Sequence, residues 1–121
     1  MIKKVAFFVF VLLILFSLNL FADEDLFAGF QLSYVALDCL DVCSTLYGLD
    51  VGLIEANPLA KWYIKNPTLT FAVHVVLDLA IIKGTDYLFR KDKKLAWAVI
   101  IGLNLIKTYI VYRNFKTLGW L

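Results

Sequence analysis

The sequence predicts an all-α polytopic membrane protein, with three mature transmembrane helices behind an N-terminal signal peptide or fourth helix. Two observations carry this. Apolar residues make up 62% of the 121-residue chain and charged residues only 18%, against roughly half and a quarter in soluble domains, and the mean hydropathy is +0.81. A small soluble domain buries only part of its surface, so lipid is the solvent that accommodates this chain. The apolar residues also fall into four segments of membrane-like length, divided by short polar stretches.

The first segment runs from Val5 to Phe21 behind Lys3 and Lys4. A basic start, an apolar stretch and Leu20-Phe21-Ala22 before an acidic run fit a signal peptide over residues 1–22, cleaved after Ala22; the alternative is a retained signal-anchor helix. The membrane domain then covers residues 23–121 without internal repeats or linkers, with helices expected at about 26–48, 68–83 and 95–112. Asn57-Pro58 interrupts the chain after the first of these, because a residue before proline is driven out of the α region. Leu59 to Lys65, with Trp62 and Tyr63 between lysines, suits headgroup depth. Arg90-Lys91-Asp92-Lys93-Lys94 is the polar hairpin. A signal-led start places Lys61, Lys65 and the C-terminal tail in the cytoplasm, while the basic hairpin outside opposes that orientation. Multi-pass insertion in a plasma (inner) membrane is expected.

The informative residues are those that lipid excludes. Gln31, Tyr34, Asp38, Asp41, Thr45, Gly48 and Gly52 recur at alternating steps of three and four, so they share one helical stripe. A carboxyl at the bilayer centre costs about 2.5–3.5 kcal/mol on insertion scales, so Asp38 and Asp41 must face other helices or a wet cavity. Gly48 and Gly52 would admit a close-packed neighbour. The third segment offers His74 and Asp78 one turn apart, and the fourth offers Asn104, Lys107, Thr108 and Asn114. Three polar stripes are satisfied by facing one another, with Asp38, Asp41, Thr45, His74, Asp78, Asn104 and Lys107 as the expected cluster. Lys107 is the counter-ion expected for Asp38 or Asp41, because an isolated buried charge would otherwise neutralise. Cys39 and Cys43, four apart on a helix, read as packing residues.

Asp41-Val-Cys-Ser-Thr45 followed by Glu55-Ala-Asn57-Pro58 resembles the D-x-x-x-T and E-x-N-P signature of a bacterial family of small membrane proteins of unknown function. The resemblance continues through Asn104 and Asn114 and covers nearly the whole chain beyond the signal-like segment. It implies about three crossing helices and no particular reaction. His74 takes the place of a basic residue that such proteins carry after E-x-N-P.

The net charge of +2 gives no reason to expect nucleic acid as a partner. The partners expected are the lipid bilayer and a homo-oligomer or larger membrane complex. No cofactor is expected. Nucleophile elbows and phosphate loops are missing from the sequence, and Asp38 and Asp41 lie on one helix, whereas an acid–base dyad converges from two. The main reading is therefore a non-enzymatic structural or accessory subunit. The alternative is an ion- or proton-linked transport component, or a metal site using Asp41, Glu55, His74 and Asp78, whose carboxylates and imidazole suit a transition metal.

Overall fold

A computed structural model describes residues 2–18, 23–55 and 58–121, with side chains described for 2–11, 23–55 and 58–121. The cleavage position after Ala22, and Asn57 of the E-x-N-P motif, lie outside the described residues. The described residues form four helices: α1 (Ile2–Leu18), α2 (Asp23–Asp50), α3 (Pro67–Lys91) and α4 (Lys93–Thr117). Of these, α2, α3 and α4 are long and apolar enough to cross a membrane. The 28 residues of α2 extend for about 42 Å at 1.5 Å per residue, more than the ~30 Å of a hydrocarbon core.

Local chemistry sets the ends. Asn66 accepts a hydrogen bond from the Leu69 amide, with Pro67 at the first helical position, where its missing N–H costs nothing. The predicted hairpin contracts to a single residue. Asp92, in an extended conformation, donates its backbone N–H to Leu88 O at the end of α3 and accepts from Leu95 N at the start of α4. The sequence marks the ends of these helices near 83 and 112; the helices run on to Lys91 and Thr117. No proline interrupts them, and their polar residues beyond the apolar run continue the spiral.

Helix α2 stops before the proline, at a glycine. Gly52 has φ +97°, a conformation that costs glycine little. Leu53 N then donates to Gly48 O and Gly52 N to Leu49 O, the paired bonds of a Schellman cap. The end of α4 repeats this: Gly119 has φ +76°, Trp120 N donates to Phe115 O, and Gly119 N donates to Lys116 O. The Trp120 ring meets Phe115 edge-on at 5.0 Å, which supplies the apolar contact of that motif.

Cross-helix contacts fix the directions. Phe27 meets Trp97 near the start of α2 and α4, and Tyr47 meets Trp120 near their ends, so the two helices run parallel. Phe27 stacks on Phe89 at 4.5 Å and His74 contacts Asp38, so α3 runs antiparallel to both. Phe27, Tyr34, Ala96 and Ile100 form one buried cluster toward the α3–α4 hairpin; Phe7, Leu37 and Val111 form another toward the C-terminal end. Phe7 joins α1 to this second cluster, 5.7 Å from the Phe115 ring.

The bundle is apolar outside and partly polar within. Leu32, Val76, Leu79, Leu105 and Ile106 are exposed, whereas Gln31, Asp38, Ser44, Thr70, Asp78, Thr85 and Asn104 are buried. Water would favour the reverse arrangement; hydrocarbon favours this one. Cys39 and Cys43 are free and exposed on α2, so they line the outside of the bundle rather than its packing. Gly48 is approached by the side chains of Leu53 and Leu118, not by another helix backbone.

Candidate functional site: a buried ionic cluster beneath a cavity

The polar stripe of α2 places Asp38 and Asp41 three residues apart, facing α3 and α4. From α4, Lys107 Nζ stands 2.6 Å from Asp38 Oδ1 and 2.8 Å from Asp41 Oδ2. From α3, His74 Nδ1 lies 3.0 Å from both oxygens of Asp38. Asp78 stands one turn further along α3, and its Oδ1 is buried without a hydrogen-bond partner. Asp38 is 2% exposed and Asp78 9%, so the pair is withdrawn from both lipid and water.

A second knot lies one turn along. Asn114 Nδ2 donates to Asp41 Oδ1 at 2.9 Å, Ser44 Oγ at 3.0 Å and Thr45 Oγ1 at 3.2 Å. Thr45 Oγ1 donates to Asp41 Oδ1, and Ser44 Oγ to the Asp41 carbonyl. Asp41 is thus held by α4 at two points, Lys107 and Asn114.

The sequence groups Asn104 with these residues, but the structure places it elsewhere. Its Nδ2 donates to Phe30 O at 3.0 Å and Ile100 O at 2.8 Å, tying α4 to α2 nearer the hairpin, and its Oδ1 is buried without a partner. Gln31 makes a knot of its own: Nε2 donates to Thr85 Oγ1 at 2.9 Å, Asp86 Oδ1 at 2.8 Å and Ile82 O at 3.2 Å. Sequence reasoning missed its partners. The signal was available, because His74, Asp78 and Thr85 follow at steps of four and seven, on one face of α3.

A cavity of about 560 Å³ opens beside the ionic cluster. Asp41, His74 and Lys107 line it from the bundle side, and Glu55, Tyr63 and Arg113 line it further out. The segment between α2 and α3 forms part of its wall, anchored by buried Ala60 and Ile64 and by Thr70 Oγ1 donating to Tyr63 O. Burial pushes the Tyr63 phenol above its ordinary value, the Glu55 charge adds to this, and Lys107 opposes it; the hydroxyl therefore stays protonated and can donate. The sequence did not single out Arg113 as a lining residue.

The four residues proposed for a metal do not all meet in one place. Asp41, Glu55 and His74 line the cavity, whereas Asp78 does not. Among the described residues no three His, Cys, Asp or Glu side chains are arranged to hold a metal ion.

One family matches the chain: a domain of unknown function, DUF5658, over residues 32–120. The chain belongs to that family. No curated protein and no solved structure matches it. The matched stretch includes every residue of the ionic cluster, together with Glu55, Pro58 and Asn114, and begins after α1.

Proposed function

We propose that this DUF5658 protein is a non-enzymatic structural or accessory subunit of a bacterial plasma (inner) membrane, working within an oligomer or a larger membrane complex. One observation carries the reading. The ionisable side chains at depth are engaged with one another across helix interfaces: Lys107 with both aspartates of α2, His74 with Asp38, and Asn114 with Asp41. Groups arranged in this way hold helices in register. The hydroxyls that could serve as nucleophiles are likewise occupied, Ser44 by the Asp41 carbonyl and Thr45 by the Asp41 carboxylate. Asp38 and Asp78 belong to two different helices, as the members of an acid–base dyad would, but neither lines the cavity where a substrate could meet them. The exposed apolar faces of α3 and α4, including Val76, Leu79, Leu105 and Ile106, are available to lipid or to a partner helix.

The test is affinity purification from native membranes in a mild detergent. A stoichiometric partner or a defined homo-oligomer is the expected result. A monodisperse monomer that brings nothing with it would overturn the reading.

The cavity beside Lys107 and His74 favours a second reading, a proton-linked transport component. It predicts flux in reconstituted vesicles carrying a pH dye, abolished by Asp41→Asn. The accessory reading expects vesicles indistinguishable from empty ones.

A further inference from the structure

We propose that the cavity beside the ionic cluster binds a phosphoethanolamine head group, with Arg113 and Tyr63 holding the phosphate and Glu55 the ammonium. The position fits a head group. Helix α2 ends at Asp50, α3 begins at Pro67 and α4 ends at Thr117, so the cavity stands where all three helices reach the same boundary of the membrane. Tyr47 and Trp62 are exposed at that end, as interfacial aromatic side chains are. The volume of about 560 Å³ lies within the ~300–1,000 Å³ of small-molecule sites.

Charge decides which ligand fits. At the inner wall Lys107 and Asp41 meet at 2.8 Å and Lys107 also holds Asp38, so their charges are answered within the bundle. The outer lining carries one charge of each sign, Arg113 and Glu55. Among the described residues the Arg113 guanidinium makes no hydrogen bond or ion pair, and the Tyr63 hydroxyl makes no hydrogen bond. A guanidinium grips phosphate through two parallel N–H donors, and the phenol adds a third donor. Tyr63 is held in place by its ring, which meets His74 edge-on at 6.0 Å. A carboxylate has about four acceptor sites, so Glu55 can take an ammonium alongside a neighbour of its own. A ligand with negative charge alone would be repelled by Asp41 and Glu55; one that carries both signs would not. Lys61, Lys65 and Lys116 are exposed but do not line the cavity, so they would gather anionic lipid without selecting a head group.

The rest of the wall suits a lipid better than a free ester. Ala60, Ile64, Leu77 and Ile110 supply apolar surface. A second cavity of about 230 Å³ adjoins at Glu55, Arg113 and Thr117, walled by Leu49, Leu53, Ile54 and Leu118. With the head group in the first cavity, the glycerol and first acyl carbons enter the second. The binding residues all belong to one chain, so the site stands whether or not the protein joins a larger complex.

Native mass spectrometry of the full-length protein, delipidated in detergent, tests this by titration with dihexanoyl phosphatidylethanolamine, dihexanoyl phosphatidylglycerol and free phosphoethanolamine. A single adduct of the ethanolamine lipid should form, at least tenfold tighter than that of the glycerol lipid. Arg113→Gln should weaken both lipids at least tenfold. Glu55→Gln should weaken the ethanolamine lipid alone and so abolish the preference. Binding of the lipid without the free ester supports a membrane ligand, whereas equal binding of the free ester supports the same site with a water-soluble one. Equal binding of the two lipids by the wild type overturns the proposal, as does ethanolamine-lipid binding that Arg113→Gln leaves unchanged. Arg113 is exposed, so its variant should keep the helical circular dichroism of the wild type. Should it unfold, Glu55→Gln decides: a lipid preference unchanged in that variant overturns the site.

Discussion

Lys107 Nζ of α4 bridges two carboxylates of α2, standing 2.6 Å from Asp38 Oδ1 and 2.8 Å from Asp41 Oδ2. One cation therefore answers two anions a turn apart, and it does so with only 13% of its side chain exposed. Removing one member of a buried ion pair leaves the other uncompensated, which costs more than the pair itself contributes.

Lys107→Met should therefore destabilise the bundle by about 3–5 kcal/mol, read by denaturant titration in micelles. Adding Asp41→Asn should recover part of the loss, since it removes the charge left behind. If neither Asp41→Asn nor Asp38→Asn restores stability in the Lys107→Met background, the ion pairing contributes nothing to the fold.

Asn114 gives a neutral counterpart. Its amide donates to three oxygens of α2, and interhelical polar contacts contribute about 0.6–2 kcal/mol. Asn114→Ala should cost stability within that range. Asn114→Asp should cost more, because it sets a carboxylate against Asp41. A ranking in which Asp is tolerated better than Ala would contradict the hydrogen-bond assignment.

The glycines separate backbone strain from packing. Gly52 has φ +97° with open space where a Cβ would stand, so Gly52→Ala should cost about 1–2 kcal/mol through its left-handed conformation alone. Gly84 and Gly102 have equally open surroundings but lie inside helices, where alanine is favoured by about 0.5–1 kcal/mol. Thermal unfolding should rank these variants with Gly52→Ala below wild type and Gly84→Ala and Gly102→Ala at or above it.

The exposed thiols report on the environment of α2. Cys39 and Cys43 point out of the bundle from a membrane-spanning helix. In intact vesicles they should react with an apolar maleimide and resist a charged, membrane-impermeant one. Equal labelling by the two reagents would place this face of α2 in water.

Contact between Phe7 and the bundle bears on α1. Phe7 is 8% exposed and sits among Val111, Tyr112 and Phe115. These contacts predict a retained helix, and intact-mass spectrometry of the membrane-extracted protein should find residues 1–22 present. A mass beginning at Asp23 would show that the mature bundle dispenses with α1.

Much of the architecture was legible in the amino-acid order. Composition settled that lipid-compatible helices form, and the three-and-four spacing from Gln31 to Gly48 settled which face of α2 turns inward, since a polar stripe in hydrocarbon has nowhere else to go; Gly52, the last member of that spacing, lies beyond α2 and is exposed. Helix ends were read less well. Backbone caps at Gly52 and Asp92 depend on one or two torsions and on bonds to carbonyls several residues away, which composition does not encode. Partner choice was beyond periodicity altogether. Spacing places Asn104 and Lys107 on neighbouring faces of α4, yet Asn104 meets the Phe30 carbonyl while Lys107 meets two aspartates. That depends on the offset of one helix along another. His74 likewise reads as a companion of Asp78, and only the antiparallel seating of α3 against α2 brings it to Asp38. A one-dimensional pattern fixes which residues turn away from lipid; the axial register of packed helices decides which of them touch.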